Sequence, residues 1–195
     1  MSASGAKKKG KEYRLHSESG DAAFLTFSPT LIDPDALVFF VQCLFVPEPY
    51  WEWLNRSHVD AGIPPADTSG ALAAYSVMPP DSCAHAPAAT GLARARWAFG
   101  GRNRAAVGAA LAGQLEAKEL PRIGRLLERP GLLEEITSSQ SPSVRRWGAV
   151  QSELVLMVDD YTAQQKEILL GATELDDAFR QGYREWEGVR GRRSR

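Results

Sequence analysis

Few residues in this sequence can carry covalent chemistry. It holds three histidines, His16, His58 and His85, each in a different segment, and two cysteines, Cys43 and Cys83, in 195 residues. Two cysteines make neither a disulfide framework nor a zinc quartet, which suits a reducing compartment. Cys83 and His85, with Asp81 nearby, are a nucleophile and a base by type. Neighbours two apart in a Pro-rich loop are not held in working geometry, so an enzyme is not the expectation. The glycines form neither a P-loop nor a dinucleotide-binding fingerprint. No apolar run reaches the roughly 20 residues of a membrane span, the longest being Ala36 to Val46 with Gln42 inside it. No apolar run follows the lysines of Met1 to Lys11 either, so no secretory signal is expected. A cytoplasmic chain with no cofactor, no metal and no membrane span is the expectation.

A dominant charge is missing too, since the formal net charge is −1. It is unevenly spread. Residues 1–11 carry +4, residues 12–89 −8, residues 90–146 +5, residues 147–189 −6 and the last six residues +4. Banding of this kind can steer a partner of opposite charge. The 44 % of hydrophobic residues is enough to bury a core in one domain with flanking segments.

Proline is absent between Ser143 and Gly191, where an apolar or aromatic residue returns every three or four positions. Leu154, Val158, Tyr161, Ile168, Leu175, Phe179 and Trp186 share one helical face. Unbroken, such a helix would run about 68 Å at 1.5 Å per residue, longer than a small domain is wide. Gly171, followed by Thr173 as a possible cap, supplies a break, so two helices are expected, over 142–170 and 174–188.

Ahead of this lie short elements. Residues 1–11 are expected to be a disordered basic tail. Glu12–His16 and Ala23–Phe27 alternate like a β-hairpin around Ser19-Gly20-Asp21. Asp33-Pro34-Asp35 is a helix start, so the apolar run Leu37 to Phe45 is expected to be helical, although short apolar runs do not declare their period. A short helix around Tyr50 to Arg56 completes an N-terminal unit over 12–62. Residues 63–91 form a Pro-rich connection with a possible strand at Tyr75 to Met78. A helical bundle over 92–188 follows, including Leu92–Phe99, Ala105–Lys118, Arg122–Glu128 and Gly131–Thr137, with a basic tail over 189–195. The expected fold is therefore α+β and mostly α, a small N-terminal β-hairpin and aromatic layer followed by a C-terminal helical bundle.

Without a catalytic constellation, the residues point to interaction: a non-catalytic accessory or structural subunit of a larger intracellular assembly, with a protein partner. Tyr50, Trp51 and Trp53 form the densest aromatic patch, and such side chains anchor protein interfaces. The alternative is a nucleic-acid-binding helical protein. Arg94, Arg96, Arg102, Arg104, Arg122, Arg125, Arg129, Arg145 and Arg146 would meet phosphates if the fold gathered them on one face. Within that set, Gly100 and Gly101 beside Arg102 and Arg104 precede a helix, an arrangement that could hold an anion.

Overall fold

The computed structural model describes residues 4–9, 12–32, 36–68, 71, 73–137, 145–146, 161–171 and 175–193. Its elements in chain order begin with β1 (Ser4–Lys9), β2 (Glu12–His16), β3 (Ala22–Ile32), β4 (Ala36–Val46), α1 (Glu48–Asp60) and β5 (Ala73–Ser76). There follow α2 (Gly91–Arg94), β6 (Trp97–Gly100), α3 (Arg104–Gln114), α4 (Leu120–Leu127), α5 (Arg129–Thr137), β7 (Arg145–Arg146), α6 (Ala163–Leu170) and α7 (Asp177–Arg193).

Strand β4 is the axis of a seven-stranded antiparallel sheet ordered β1-β2-β3-β4-β5-β7. One edge of β4 pairs along its length with β3. Two short strands share the other edge. Gln42–Phe45 pairs with β5, and Ala36–Phe39 pairs with β6. The expected mostly-α fold, a small hairpin followed by a helical bundle, is thus overturned: strands recur as far as Arg146, and the described helices form no bundle of their own but share the sheet's core.

Three local expectations change with it. The run Leu37 to Phe45 is strand rather than helix, because it is flanked on both edges. Its face opposite the core is half-covered as well, so the strand is largely apolar on both faces and loses the polar alternation that would mark it. Its odd residues Phe39, Val41, Cys43 and Phe45 are buried, while Phe40, Gln42 and Leu44 on the opposite face are half-buried. Second, Leu92–Phe99 is not one helix. Only Gly91–Arg94 is helical, and Trp97–Gly100 is strand, where Trp97 stacks on Phe39 at 6.4 Å and donates from Nε1 to the Val77 carbonyl at 2.8 Å. Third, the N-terminal lysines fall in β1, whose Lys7, Lys8 and Lys9 pair in register with Arg14, Tyr13 and Glu12.

The β-hairpin forms where the sequence placed it; α1 is longer than the expected Tyr50 to Arg56, and β5 lies two residues ahead of the expected Tyr75 to Met78. The break at Gly171 is also present, since α6 ends at Leu170 with Gly171 as its cap. The helices expected over 142–170 and 174–188 are nevertheless corrected: Arg145–Arg146 is strand, Thr162 caps the start of α6, and α7 runs from Asp177 to Arg193, into the expected basic tail. Thr173 and residues 147–160 of the long apolar stripe lie outside the described residues. Farther along the stripe, Leu175 is buried and Phe179 and Trp186 pack on the core, whereas Ile168 is 69 % exposed and its neighbour Leu170 is buried instead.

Pro121 does not end a helix. A proline inside an α-helix clashes with the carbonyl four residues back. Here the chain widens into a π-turn over Leu115–Glu119, closed by the Leu120 N–H donating to the Leu115 carbonyl, and so runs from α3 into α4 without a break. The wide turn carries Glu119 inward, where it is buried.

The core lies on the face of the sheet that bears Phe39, Val41, Cys43 and Phe45. Ile123, Leu126 and Leu127 of α4, Leu132 of α5, Tyr50 and Trp53 of α1, and Tyr183 of α7 belong to the same buried cluster. A second, smaller cluster of Ala22, Phe24, Val46 and Ala71 has Trp51 against it.

Candidate functional site

Among the described side chains, the arginines of 94–129 do not form one open face. Arg94 bonds Asp81 at 2.5 Å and the Pro79 carbonyl at 2.9 Å. Arg122 bonds Glu135 at 2.7 Å and lies 4.1 Å above the Tyr75 ring. Arg125 reaches the other oxygen of Glu135, also at 2.7 Å, with Glu134 at 3.7 Å. Arg129 pairs with Asp21 at 2.9 Å across 108 residues of chain. Arg96 lies over Phe40 at 5.8 Å, with its Nε buried. Arg102 and Arg104 are exposed, Arg104 at 6.0 Å from the Phe99 ring centre. Arg145 and Arg146 are in β7, opposite Ala74 and Ala73, and their side chains lie outside the described residues.

The aromatic patch divides in a similar way. Tyr50 and Trp53 are buried, which removes them from any docking surface. Trp53 is the centre of a ring cluster with Phe179 at 5.4 Å, Trp186 at 5.8 Å and Tyr183 at 6.2 Å, and this cluster fastens α7 to α1. Gly182 makes the approach possible, because a β-carbon there would stand 3.2 Å from the Trp53 ring. Trp51, half-buried, faces another way and donates from Nε1 to the Ala66 carbonyl at 3.2 Å.

Between the two helices runs a groove of about 640 Å³. From α1 come Glu48, Glu52, Arg56 and Asp60, spaced four apart and so aligned along one face, with Trp51 beside them. From α7 come Glu185, Trp186, Val189 and Arg190, the matching stripe of an antiparallel neighbour. Four acids face two arginines. One arginine is committed, since Arg190 lies 3.1 Å from Glu48 and 3.0 Å from Glu52. Arg56 lies 3.6 Å over the Trp53 ring and donates to that residue's carbonyl at 2.6 Å. Asp60 and Glu185 are exposed and make no ion pair among the described residues. The groove therefore combines uncompensated negative charge with Trp51, Trp186 and Val189 as apolar wall. Sequence reasoning named Trp51 but missed the groove, which only the pairing of α1 with α7 creates.

A buried polar group lies on the core face. Cys43 and Tyr75 are direct cross-strand partners, and Glu119 and Arg122 reach them from the π-turn and α4. Burial pushes the Cys43 thiol up to about 12, and burial followed by the nearness of Cys43 and Glu119 raises the Tyr75 hydroxyl as well. Such a thiol stays protonated and unreactive. Glu119 accepts from Gln114 Nε2 at 3.3 Å through one oxygen, while its other oxygen and the Tyr75 hydroxyl make no well-formed hydrogen bond among the described residues.

The histidines do not converge. His16, His58 and His85 are all exposed, whereas Cys83 is buried and Asp81 is taken by Arg94. Among the described residues no cluster of three or more His, Cys, Asp or Glu side chains could hold a metal ion, and no helix is long and apolar enough to cross a membrane. No protein-family model matches the chain, and no curated protein or solved structure matches it significantly.

Proposed function

We propose that the protein is a non-catalytic interaction protein, an accessory subunit of a larger intracellular assembly, and that it binds a basic segment of a partner protein in the groove between α1 and α7. The observation that carries this reading is the groove's composition, with exposed Asp60 and Glu185 beside Trp51, Trp186 and Val189. Charge of one sign next to aromatic wall selects a segment that presents Arg or Lys beside an apolar side chain. The volume lies within the range of sites that hold a ligand of a few side chains.

The nucleic-acid alternative rests on much less surface than the sequence offered. Arg94, Arg122, Arg125 and Arg129 each pair with a carboxylate, while Arg102 and Arg104 are exposed and make no ion pair among the described residues.

The experiment is fluorescence anisotropy of short labelled peptides with the full chain, over a salt series. Peptides carrying Arg or Lys beside Leu are compared with acidic counterparts and with a labelled single-stranded RNA. The basic peptides are expected to bind and the others not. Replacing Asp60 and Glu185 together by Asn and Gln should weaken basic-peptide binding about tenfold, two rim charges at roughly 0.7 kcal/mol each. RNA binding that disappears on replacing Arg102 and Arg104 by Ser, with no response to the Asp60 and Glu185 changes, would overturn the proposal in favour of nucleic acid.

A further inference from the structure

One end of the groove is already occupied by a guanidinium. Arg190, near the end of α7, reaches back to the beginning of α1. Its Nη2 is 3.1 Å from a Glu48 oxygen, its Nε is 3.0 Å from a Glu52 oxygen, and its Cζ lies 5.4 Å from the ring centre of Trp186. Two donors on one edge of the planar guanidinium thus address two separate carboxylates while the plane lies near an indole.

We infer that this end is an arginine seat, which Arg190 fills in the free protein and which an arginine of the partner takes over on docking. The inference rests on the reading of the groove as a docking surface and adds the residue type that the surface selects. Two carboxylates served by two different nitrogens, with an aromatic ring alongside, fit a guanidinium; an ammonium is a point charge without that fork.

Exchange at this seat leaves no charge stranded in the core. The side chains of Arg190, Glu48 and Glu52 are 34 %, 44 % and 35 % exposed, so water reaches each of them when they separate. Glu48 also does not depend on Arg190. It lies in the first turn of α1, where the helix dipole favours negative charge, and its backbone N–H is held independently by Asp21 Oδ1 at 2.9 Å. From the seat the groove continues along Trp186 and Trp51 towards Asp60 and Glu185. An incoming chain that places an arginine between Glu48 and Glu52 therefore lays its next side chains on that apolar wall.

The test compares the full-length protein with its Arg190→Ala variant, using three blocked peptides that differ at one position flanked by leucines: arginine, lysine or neutral citrulline. With the competitor removed, the arginine peptide should bind Arg190→Ala about tenfold more tightly than the native protein, the factor expected when Arg190 holds the seat about nine-tenths of the time. The lysine and citrulline peptides, whose weaker fit leaves them bound mainly along the groove outside the seat, should gain less than about threefold. Equal gains for arginine and lysine, or no gain for arginine while the basic peptides still bind both proteins, would overturn the seat and leave the docking groove standing. Failure of every peptide to bind either protein would remove the docking reading itself. Arg190→Ala that self-associates more strongly in sedimentation would replace the partner by a second copy of the chain. If Arg190→Ala does not fold, Glu52→Gln in the native background serves instead: it should bring arginine and lysine peptides to equal affinity, and a retained preference for arginine refutes the inference.

Discussion

Replacing Asp21 should cost more stability than replacing any other carboxylate on the N-terminal hairpin. Asp21 follows Gly20, whose φ of +88° makes the tight β2–β3 turn, and it is only 4 % exposed. It joins three parts of the fold at once. One oxygen accepts the Glu48 N–H at 2.9 Å and so caps α1. The other accepts Ser19 Oγ at 3.1 Å, and Arg129 of α5 approaches both, at 2.9 and 3.2 Å. Asp21→Asn keeps an acceptor for the helix cap but removes the charge facing Arg129. Removing one member of a buried ion pair costs about 3–5 kcal/mol; the Arg129 side chain is 18 % exposed, and water at that side brings the expected loss to about 2–3 kcal/mol. Asp21→Ala loses the cap as well, about 1 kcal/mol more. For a chain of this size the Asn variant should melt roughly 4–12 °C lower. Urea unfolding measures the free energy directly, with an unchanged slope indicating that the folded and unfolded states kept their compactness. A double-mutant cycle with Arg129→Met isolates the pair, and its coupling energy should exceed about 1 kcal/mol. A loss below about 0.5 kcal/mol for Asp21→Asn, or coupling indistinguishable from zero, refutes the view that this pair ties α5 to the hairpin.

Two other consequences can be measured. Because Cys43 ionises near 12 when folded, against 9.0 ordinarily, the unfolded chain loses that proton first as pH rises; the associated stability is complete below pH 9 and is lost on approaching pH 12, with Tyr75 and Tyr183 shifted in the same direction. Melting temperature should therefore be flat to about pH 8.5 and fall steeply beyond it, and a thiol reagent should label neither buried cysteine before unfolding; rapid labelling of native protein at neutral pH would contradict this burial. Gly182→Val should destabilise by about 1–3 kcal/mol, since its side chain would enter the Trp53 ring, and should weaken peptide binding in the groove; a neutral result would mean that α7 can shift away from α1 at little cost.

The sequence contained the local elements in proportion to how local their causes are. The alternation of Glu12–His16 and Ala23–Phe27 and the glycine at the turn are contained in the segment itself, and the hairpin forms there. Phe179 and Trp186 were legible as sharing one helical face, and their partner in the fold is Trp53. Strand β4 was not legible, because its conformation follows from neighbours up to sixty-four positions away, where Ala36 meets Gly100, rather than from its own period. Nor was the fate of the arginines. Arg129 with Asp21 and Arg190 with Glu48 join distant parts of the chain, and a count of charges along the sequence cannot distinguish a solvated arginine from one spent on a carboxylate.

The π-turn at Leu115–Glu119 also has a meaning for how this chain tolerates changes in length. A single wide turn in a helix is geometrically one surplus residue absorbed without altering the direction in which either flank faces. Val107 before it and Ile123, Leu126 and Leu127 after it all reach the same core. Loss of one residue from the exposed part of the turn, such as Ala117, combined with replacement of Pro121, whose ring the wide turn accommodates, would let the helix close into regular α geometry with those flanks still in phase. What would change is the side chain delivered beside Tyr75. The turn thus acts as a length reserve, in which one deletion alters the polar interior at Cys43 and Tyr75 and leaves the surrounding core in register.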